Sequence, residues 1–226
     1  MNRILLLFFC MVFISASAQK GYFTTQGEFI FSKAMLEFEG ENISNAVRFT
    51  AFPNIEVVYN KDLGKTFGLY SGLTINNIGL ITSDEDFLGP NIVNLKLRAL
   101  TAGVPVALKI GNLSEDRFFA IGAQYEWLFH FKEKFFYYSG SGSSKLQKSK
   151  SSEWFSDKTN TFLPSVFVGI SYNRYFLRVK YYLNDFLNQD YQQMPGFGAT
   201  HPFRDINSTI AYISLSYRFN TKKSDD

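Results

Sequence analysis

Apolar and polar residues alternate along most of this chain. Val47, Phe49, Ala51, Pro53, Ile55, Val57 and Tyr59 stand against Arg48, Thr50, Phe52, Asn54, Glu56, Val58 and Asn60, a period of two that belongs to strands and not to helices. The same period runs through Phe67 to Ile75, Phe119 to Phe131, Phe162 to Tyr172, Tyr175 to Leu183 and Ala211 to Phe219. From Asn94 to Ile110 the apolar parity changes, odd at Leu95, Leu97 and Ala99 and even at Val104, Val106 and Leu108. That change predicts a β-bulge between Leu100 and Gly103. A first strand lies within Gly27 to Glu39, where Phe29, Ile30, Phe31, Met35 and Leu36 leave the facing open. The expectation is an all-β chain of eight strands, joined as an antiparallel up-and-down meander.

Period two alone fits a soluble barrel of lipocalin type as well as a membrane barrel. The connections separate them. Asn60 to Thr66, Gly111 to Arg117 and Asn173 to Arg174 are short. On the opposite side, Asn77 to Ile92, Lys132 to Thr161 and Asp185 to Asn207 are long, and Gly40 to Asn45 is shorter. Short turns on one side and longer loops on the other are the pattern of outer-membrane barrels. Aromatic positions agree: Tyr59, Phe67, Tyr172, Tyr175, Tyr217 and Phe219 fall at the short-turn ends, and Phe49, Phe129, Phe131 and Phe162 at the long-loop ends. Two such girdles account for much of a content of 25 Phe, 13 Tyr and 2 Trp. Backbone groups in lipid need partners, so eight strands there must close into a transmembrane β-barrel.

Residues 1–19, MNRILLLFFCMVFISASAQ, read as a signal peptide: basic Arg3, an apolar stretch from Ile4 to Ile14, then small residues to Ala18. The stretch is short of the roughly 20 residues of a membrane helix. The expected organisation is a barrel over 20–219 and a periplasmic tail over 220–226, with N- and C-termini periplasmic and long loops extracellular. Cys10 lies inside the signal, so the mature chain would carry no thiol and no disulfide. With 23 Lys plus Arg against 20 Asp plus Glu, the net charge of +3 argues against a dedicated nucleic-acid binder.

The signal ending SASAQ, the segment GVPVALKIG from Gly103 to Gly111 and the terminal YISLSYRF resemble small outer-membrane β-barrel proteins of Bacteroidetes, PorT-like in the broad sense. The resemblance implies the barrel fold and, for the PorT type, an association with secretion across the outer membrane. In related barrels a last strand ending in an aromatic residue is read by the barrel-assembly machinery during insertion. Leu215, Tyr217 and Phe219 are similar to that assembly signal.

Arg48, Glu56, Lys96, Arg98, Glu126, Arg178, Lys180 and Arg218 fall on the inward parity. An eight-stranded interior is filled by side chains, so these are expected to be an ion-paired structural network. Six cations against two anions leave a small anion-preferring channel as the alternative. No enzyme is expected, because His130 and His201 lie in no motif that fixes a nucleophile, and Ser139 and Ser141 sit in a Ser/Gly-rich run. A lipid-modifying outer-membrane enzyme is the weaker rival. No cofactor or metal is expected; Asp84, Glu85 and Asp86 read as a solvated turn.

The Lys132 to Thr161 loop reads as solvated, with lysines able to meet lipopolysaccharide phosphates or an acidic envelope protein. Phe135, Phe136, Tyr137 and Tyr138 form the candidate partner-binding cluster, or else a strand continued above the membrane. The expected role is structural or interactive, toward outer-membrane lipid and lipopolysaccharide or a secretion or assembly complex.

Overall fold

The computed structural model describes residues 21–88, 92–138, 146–193 and 200–220. The signal segment, Ser139 and Ser141, the Asp86 side chain and the tail beyond Asn220 lie outside the described residues. The strands are β1 (Tyr22–Phe38), β2 (Glu41–Asn42), β3 (Asn45–Ala46), β4 (Arg48–Thr50), β5 (Ile55–Asp62), β6 (Phe67–Thr82), β7 (Ile92–Asn112), β8 (Arg117–Tyr138), β9 (Leu146–Trp154), β10 (Phe162–Tyr172), β11 (Tyr175–Tyr182) and β12 (Ile206–Arg218). Eight of them form a ring. From β1 the antiparallel pairings run through β5, β6, β7, β8, β10, β11 and β12, and β12 pairs back onto β1 from Gln26↔Arg218 to Phe38↔Ile206. Closure leaves no free sheet edge within the ring, the condition for placing strands in hydrocarbon.

Turn chemistry sets the meander. Asn173 takes φ 54° in the two-residue Asn173–Arg174 hairpin, a left-handed conformation that suits the twist of the flanking strands. A 3₁₀ turn at Leu113–Glu115 ends on Asp116 at φ 54° and tucks Leu113 into the base of the barrel. At the far side of the last strand, Phe219 N–H still donates to Thr25 O at 2.9 Å. Asn220 then fastens the end to β1 by accepting from Thr25 N–H at 2.6 Å and donating to Phe23 O at 2.9 Å.

The apolar residues face outward through the barrel wall. Phe119, Ile121 and Tyr125 of β8, Val104 and Val106 of β7, and Val166, Val168 and Ile170 of β10 are all exposed, whereas Glu126, Lys109 and Ser165 on the other face are buried. On β8 the outward apolar positions run from Phe119 to Phe129, about 33 Å along the strand at 3.3 Å per residue. At a tilt of about 40° that becomes about 25 Å, the height of the apolar band in outer-membrane barrels. At the short-turn end, Phe23 lies 5.2 Å from Tyr59 and Tyr175 lies 5.6 Å from Tyr217. At the other end, Tyr125 stacks on Phe162 at 5.3 Å and Trp127 on Phe155 at 5.5 Å. The chain is an eight-stranded antiparallel transmembrane β-barrel.

The first strand, whose facing the sequence pattern leaves open, faces inward through its even residues, Glu28, Ile30, Ser32, Ala34 and Leu36, and outward through Phe29, Phe31 and Met35. The bulge, one girdle residue and one loop need correction. The parity change is not in β7, whose odd residues face inward from Leu95 to Lys109; the bulge is in β8, where the register passes from Leu100↔His130 to Thr101↔Leu128 and skips Phe129. Phe131 therefore turns into the core and is no girdle residue. The segment beyond Lys132 is not a loop at first but strand: β8 continues to Tyr138, and β9 pairs with its distal part outside the ring. With β7 this makes a three-stranded hairpin standing above the apolar band.

Candidate functional site

The lumen is packed in layers. At the short-turn end, Lys109 Nζ sits 2.7 Å from Asp62 Oδ1 and also donates to Asn60 Oδ1 at 3.1 Å and Tyr22 Oη at 3.2 Å. Arg218 approaches Asp116 at 3.6 Å, donates to Ser171 Oγ at 2.8 Å and stacks over Phe118 at 5.0 Å. In the middle, Arg178 donates to Glu56 Oε2 at 2.6 Å and faces Glu28 Oε1 at 3.6 Å, while Ser214 Oγ donates to Glu28. Its guanidinium is sandwiched near Phe167 at 4.9 Å and Phe176 at 5.1 Å. Above it, Lys180 Nζ contacts Glu126 Oε1 at 2.5 Å and Gln124 Oε1 at 2.6 Å. Tyr182 and Thr101 hydroxyls donate to the same Glu126 carboxylate at 3.0 and 2.6 Å.

Toward the long loops, an apolar cluster including Ile30, Ile78, Leu97, Leu128, Phe131, Leu163 and Phe186 fills the lumen. Phe186 belongs to the β11–β12 connection, whose first part is folded inward by Phe186 N–H to Ser208 O at 3.1 Å and Leu187 N–H to Ser208 Oγ at 2.9 Å.

This geometry divides the sequence-derived set. Glu56, Glu126, Arg178, Lys180 and Arg218 belong to the interior network. Arg48 is buried but bonds Asn77, through its carbonyl at 3.0 Å and its side-chain oxygen at 2.6 Å, and not the central carboxylates. Lys96 and Arg98 are corrected: they lie on the outer face of β7, because the odd residues Leu95, Leu97 and Ala99 are the inward ones. Sequence reasoning missed Glu28, Asp62, Lys109 and Asp116. With them, the buried or nearly buried charges just named are Arg48, Lys109, Arg178, Lys180 and Arg218 against Glu28, Glu56, Asp62, Asp116 and Glu126, five against five. The cationic excess behind the channel alternative disappears in that count.

The aromatic run is split by strand alternation. Phe135 packs against the internal apolar cluster, while Phe136 lies on the opposite face under Lys96 Nζ at 5.3 Å from the ring centre. The four residues do not form one surface. Leu215, Tyr217 and Phe219 are exposed on the outer wall at the short-turn end. His130 Nε2 lies 2.9 Å from Ser152 Oγ, and its ring is 4.7 Å from Trp154. Its Nδ1 meets no partner among the described residues, so no carboxylate orients the imidazole as a catalytic triad requires. His201 stands in the β11–β12 connection. Asp84 accepts from Ser44 N–H at 2.9 Å and Phe87 N–H at 3.2 Å, capping the single helical turn Glu85–Leu88.

No family model matches the chain, and no curated protein matches it. Among solved structures, similar chains include Ail, the attachment invasion locus protein of Yersinia pestis, at 12% identity and a TM-score of 0.35, covering 89% of this chain and 100% of that one. Neisserial surface protein A is similar at 12% identity and 0.37, with the same coverage. The N-terminal β-barrel domain of Pseudomonas aeruginosa OprF follows at 8% identity and 0.30, covering 88% and 100%. The strand ring and its apolar exterior carry the fold assignment.

The base of the external hairpin is held by Lys158, whose ammonium lies 3.1 Å from Glu153 and 3.3 Å from Glu133. Burial works against the charged lysine, but Glu153 and Glu133 outweigh it and raise its pKa. A hydrogen bond from Ser156, followed by Lys158, holds Glu153 below the usual carboxylate value despite partial burial. The depressed acid contributes stability above its unfolded pKa and loses it as pH falls through the folded value. The raised lysine contributes below its unfolded pKa and loses it only in strong alkali. The protection of the β9 amides, taken relative to intrinsic exchange at each pH, should therefore be constant near neutrality and fall in acid below about pH 4, while amides of β10 and β11 keep theirs.

Proposed function

We propose that this protein is an integral outer-membrane barrel that acts by presenting an external surface, as a structural or interaction protein, and not by conducting solutes or catalysing a reaction. The side-chain-filled lumen is the observation that carries this reading. Ion-paired layers from Asp62–Lys109 to Glu126–Lys180 are capped by an apolar cluster, as an eight-stranded interior filled by side chains requires. The reading includes periplasmic termini and extracellular long loops, since short turns in such barrels face the periplasm. A place beside a secretion or assembly complex is the finer form of this reading; the motifs around Gly103 to Gly111 and in the last strand support the barrel on which it would rest.

The purified protein in planar lipid bilayers should give no stable single-channel steps; persistent anion-selective conductance would overturn the proposal. His130 pairs with Ser152, and among the described residues its Nδ1 meets no orienting acid, so the reading gives the pair a structural role. His130→Ala should leave barrel folding intact, read as unchanged heat-modifiable gel mobility.

A further inference from the structure

The outer face of the external hairpin carries cations opposite cations. Cross-strand register sets Lys96 beside Lys134 and Lys134 beside Lys150, and in the neighbouring row Arg98 beside Lys132. Lys148 lies opposite Phe136 on the same face. Like charges directly opposite one another on a sheet are destabilising, and no carboxylate stands at the described positions of this face. Lys134 is held below its ordinary pKa by partial burial and then by Lys148, Arg98, Lys150 and Lys96. Arg98 Nε is buried and meets no hydrogen-bond partner among the described residues. Between these side chains lies a cavity of about 160 Å³ lined by Arg48, Lys96, Arg98, Lys132 and Lys134 over Ile81 and Leu97. Such a concentration of donors without acceptors fits a multivalent anion.

Height on the barrel decides which anion. Going up the outer face of β8, Tyr125, Trp127 and Phe129 lead to Lys132 and Lys134, and Trp154 and Phe155 join the aromatic group from the next strand. Lys132 is three residues beyond Phe129, about 10 Å along the strand, which places the cations just above an interfacial girdle. A phosphate held there belongs to a molecule whose acyl chains can lie on the apolar wall below.

We propose that Lys96, Arg98, Lys132, Lys134 and Lys150 form a binding site for the phosphate groups of an outer-leaflet glycolipid of the lipid A type, seated on the outer face of the hairpin. This rests on the membrane-barrel reading and adds a specific lipid contact to it. The phosphates replace cross-strand repulsion with charge-assisted hydrogen bonds, so the hairpin is ordered best when lipid is bound.

The test uses the folded mature chain in zwitterionic detergent micelles. Trp127 and Trp154, both of the chain's 2 tryptophans, flank the site and report binding by fluorescence. Titration with bis-phosphorylated lipid A should saturate. Dephosphorylated lipid A should bind at least tenfold more weakly, and raised salt should weaken the phosphorylated form. The pair Lys96→Gln with Lys134→Gln should lose at least tenfold in affinity, whereas Lys61→Gln with Lys65→Gln at the short-turn end should not change it. Without lipid, the Lys96/Lys134 variant should be at least as stable as the parent, because a repulsion has been removed. Equal binding of dephosphorylated lipid, an unaffected variant, or a variant destabilised without lipid overturns the site. Equal binding of inorganic pyrophosphate, or tighter binding of polyglutamate than of lipid A, overturns the lipid assignment in favour of a free anion or an acidic protein. Heat-modifiable mobility and silent bilayers, measured on the same samples, keep the barrel reading separate from any of these failures.

Discussion

Arg178→Ala should lower barrel stability by about 3–5 kcal/mol, the cost of removing one partner from a buried charge cluster. Arg178 is fully buried on β11 and reaches across the lumen to Glu56 of β5 at 2.6 Å and Glu28 of β1 at 3.6 Å. Truncation leaves two carboxylates in a water-poor interior without the cation that joins them. It also removes the planar group that fills the space between Phe167 and Phe176. Lysine at this position keeps the charge but cannot reach both carboxylates in a fork, so Arg178→Lys should recover part of the loss. Arg178→Met combined with Glu28→Gln and Glu56→Gln should recover more than alanine alone, because no uncompensated charge remains. Urea unfolding followed by heat-modifiable mobility reads all three. A loss below about 1 kcal/mol for Arg178→Ala would mean that water enters the lumen and screens the cluster, which in turn would weaken the case for a sealed interior.

The ring of strands was legible in the sequence because hydrocarbon outside and a polar lumen inside give strong contrast at every second residue. Val166, Val168 and Ile170 against Ser165, Gly169 and Ser171 show it plainly. Legibility failed where the contrast reverses. Near the barrel mouth the lumen is apolar and the exterior meets water, so Leu95, Leu97 and Ala99 turn inward while Lys96 and Arg98 turn outward. Read with the membrane rule, those residues appear to change face, and the slip at Phe129 in β8 leaves a run of Trp, Leu, Phe, His and Phe that looks continuous. The same reversal blurred β1, whose Ile30, Ala34 and Leu36 belong to the apolar plug while Phe29, Phe31 and Met35 face out.

Four of the ten buried charges were hidden for other reasons. Asp62 and Asp116 lie within the segments assigned to short turns, yet both fold back onto cations at the base of the barrel. Glu28 lay on the strand whose facing was open. Lys109 did carry a usable signal, a lone cation on the odd parity of a segment with Val104, Val106 and Leu108 on the even one. The basic face of the hairpin could not be seen at all until β9 was recognised as a strand, since only pairing places Lys150 beside Lys134.

A cation placed on the outer wall distinguishes lipid from water around the barrel. Val168 is midway along β10, exposed, and flanked in register by Ile121 of β8 and Val179 of β11. In phospholipid vesicles, Val168→Arg should destabilise the fold by about 2–4 kcal/mol, the range for arginine or lysine at the bilayer midplane. Tyr172→Arg, at the short-turn end of the same strand, should cost only about 0–1 kcal/mol, because the headgroup region hydrates the guanidinium. A water-soluble barrel has no such depth profile, and both exposed substitutions would fall within about 0.5 kcal/mol of the parent. Guanidinium unfolding of the two variants therefore reads the surrounding solvent directly. A steep difference between the two positions is the expected result. Equal, small effects would return the chain to the soluble alternative, and with it the outward Phe and Trp residues would become a hydrophobic surface in need of another partner.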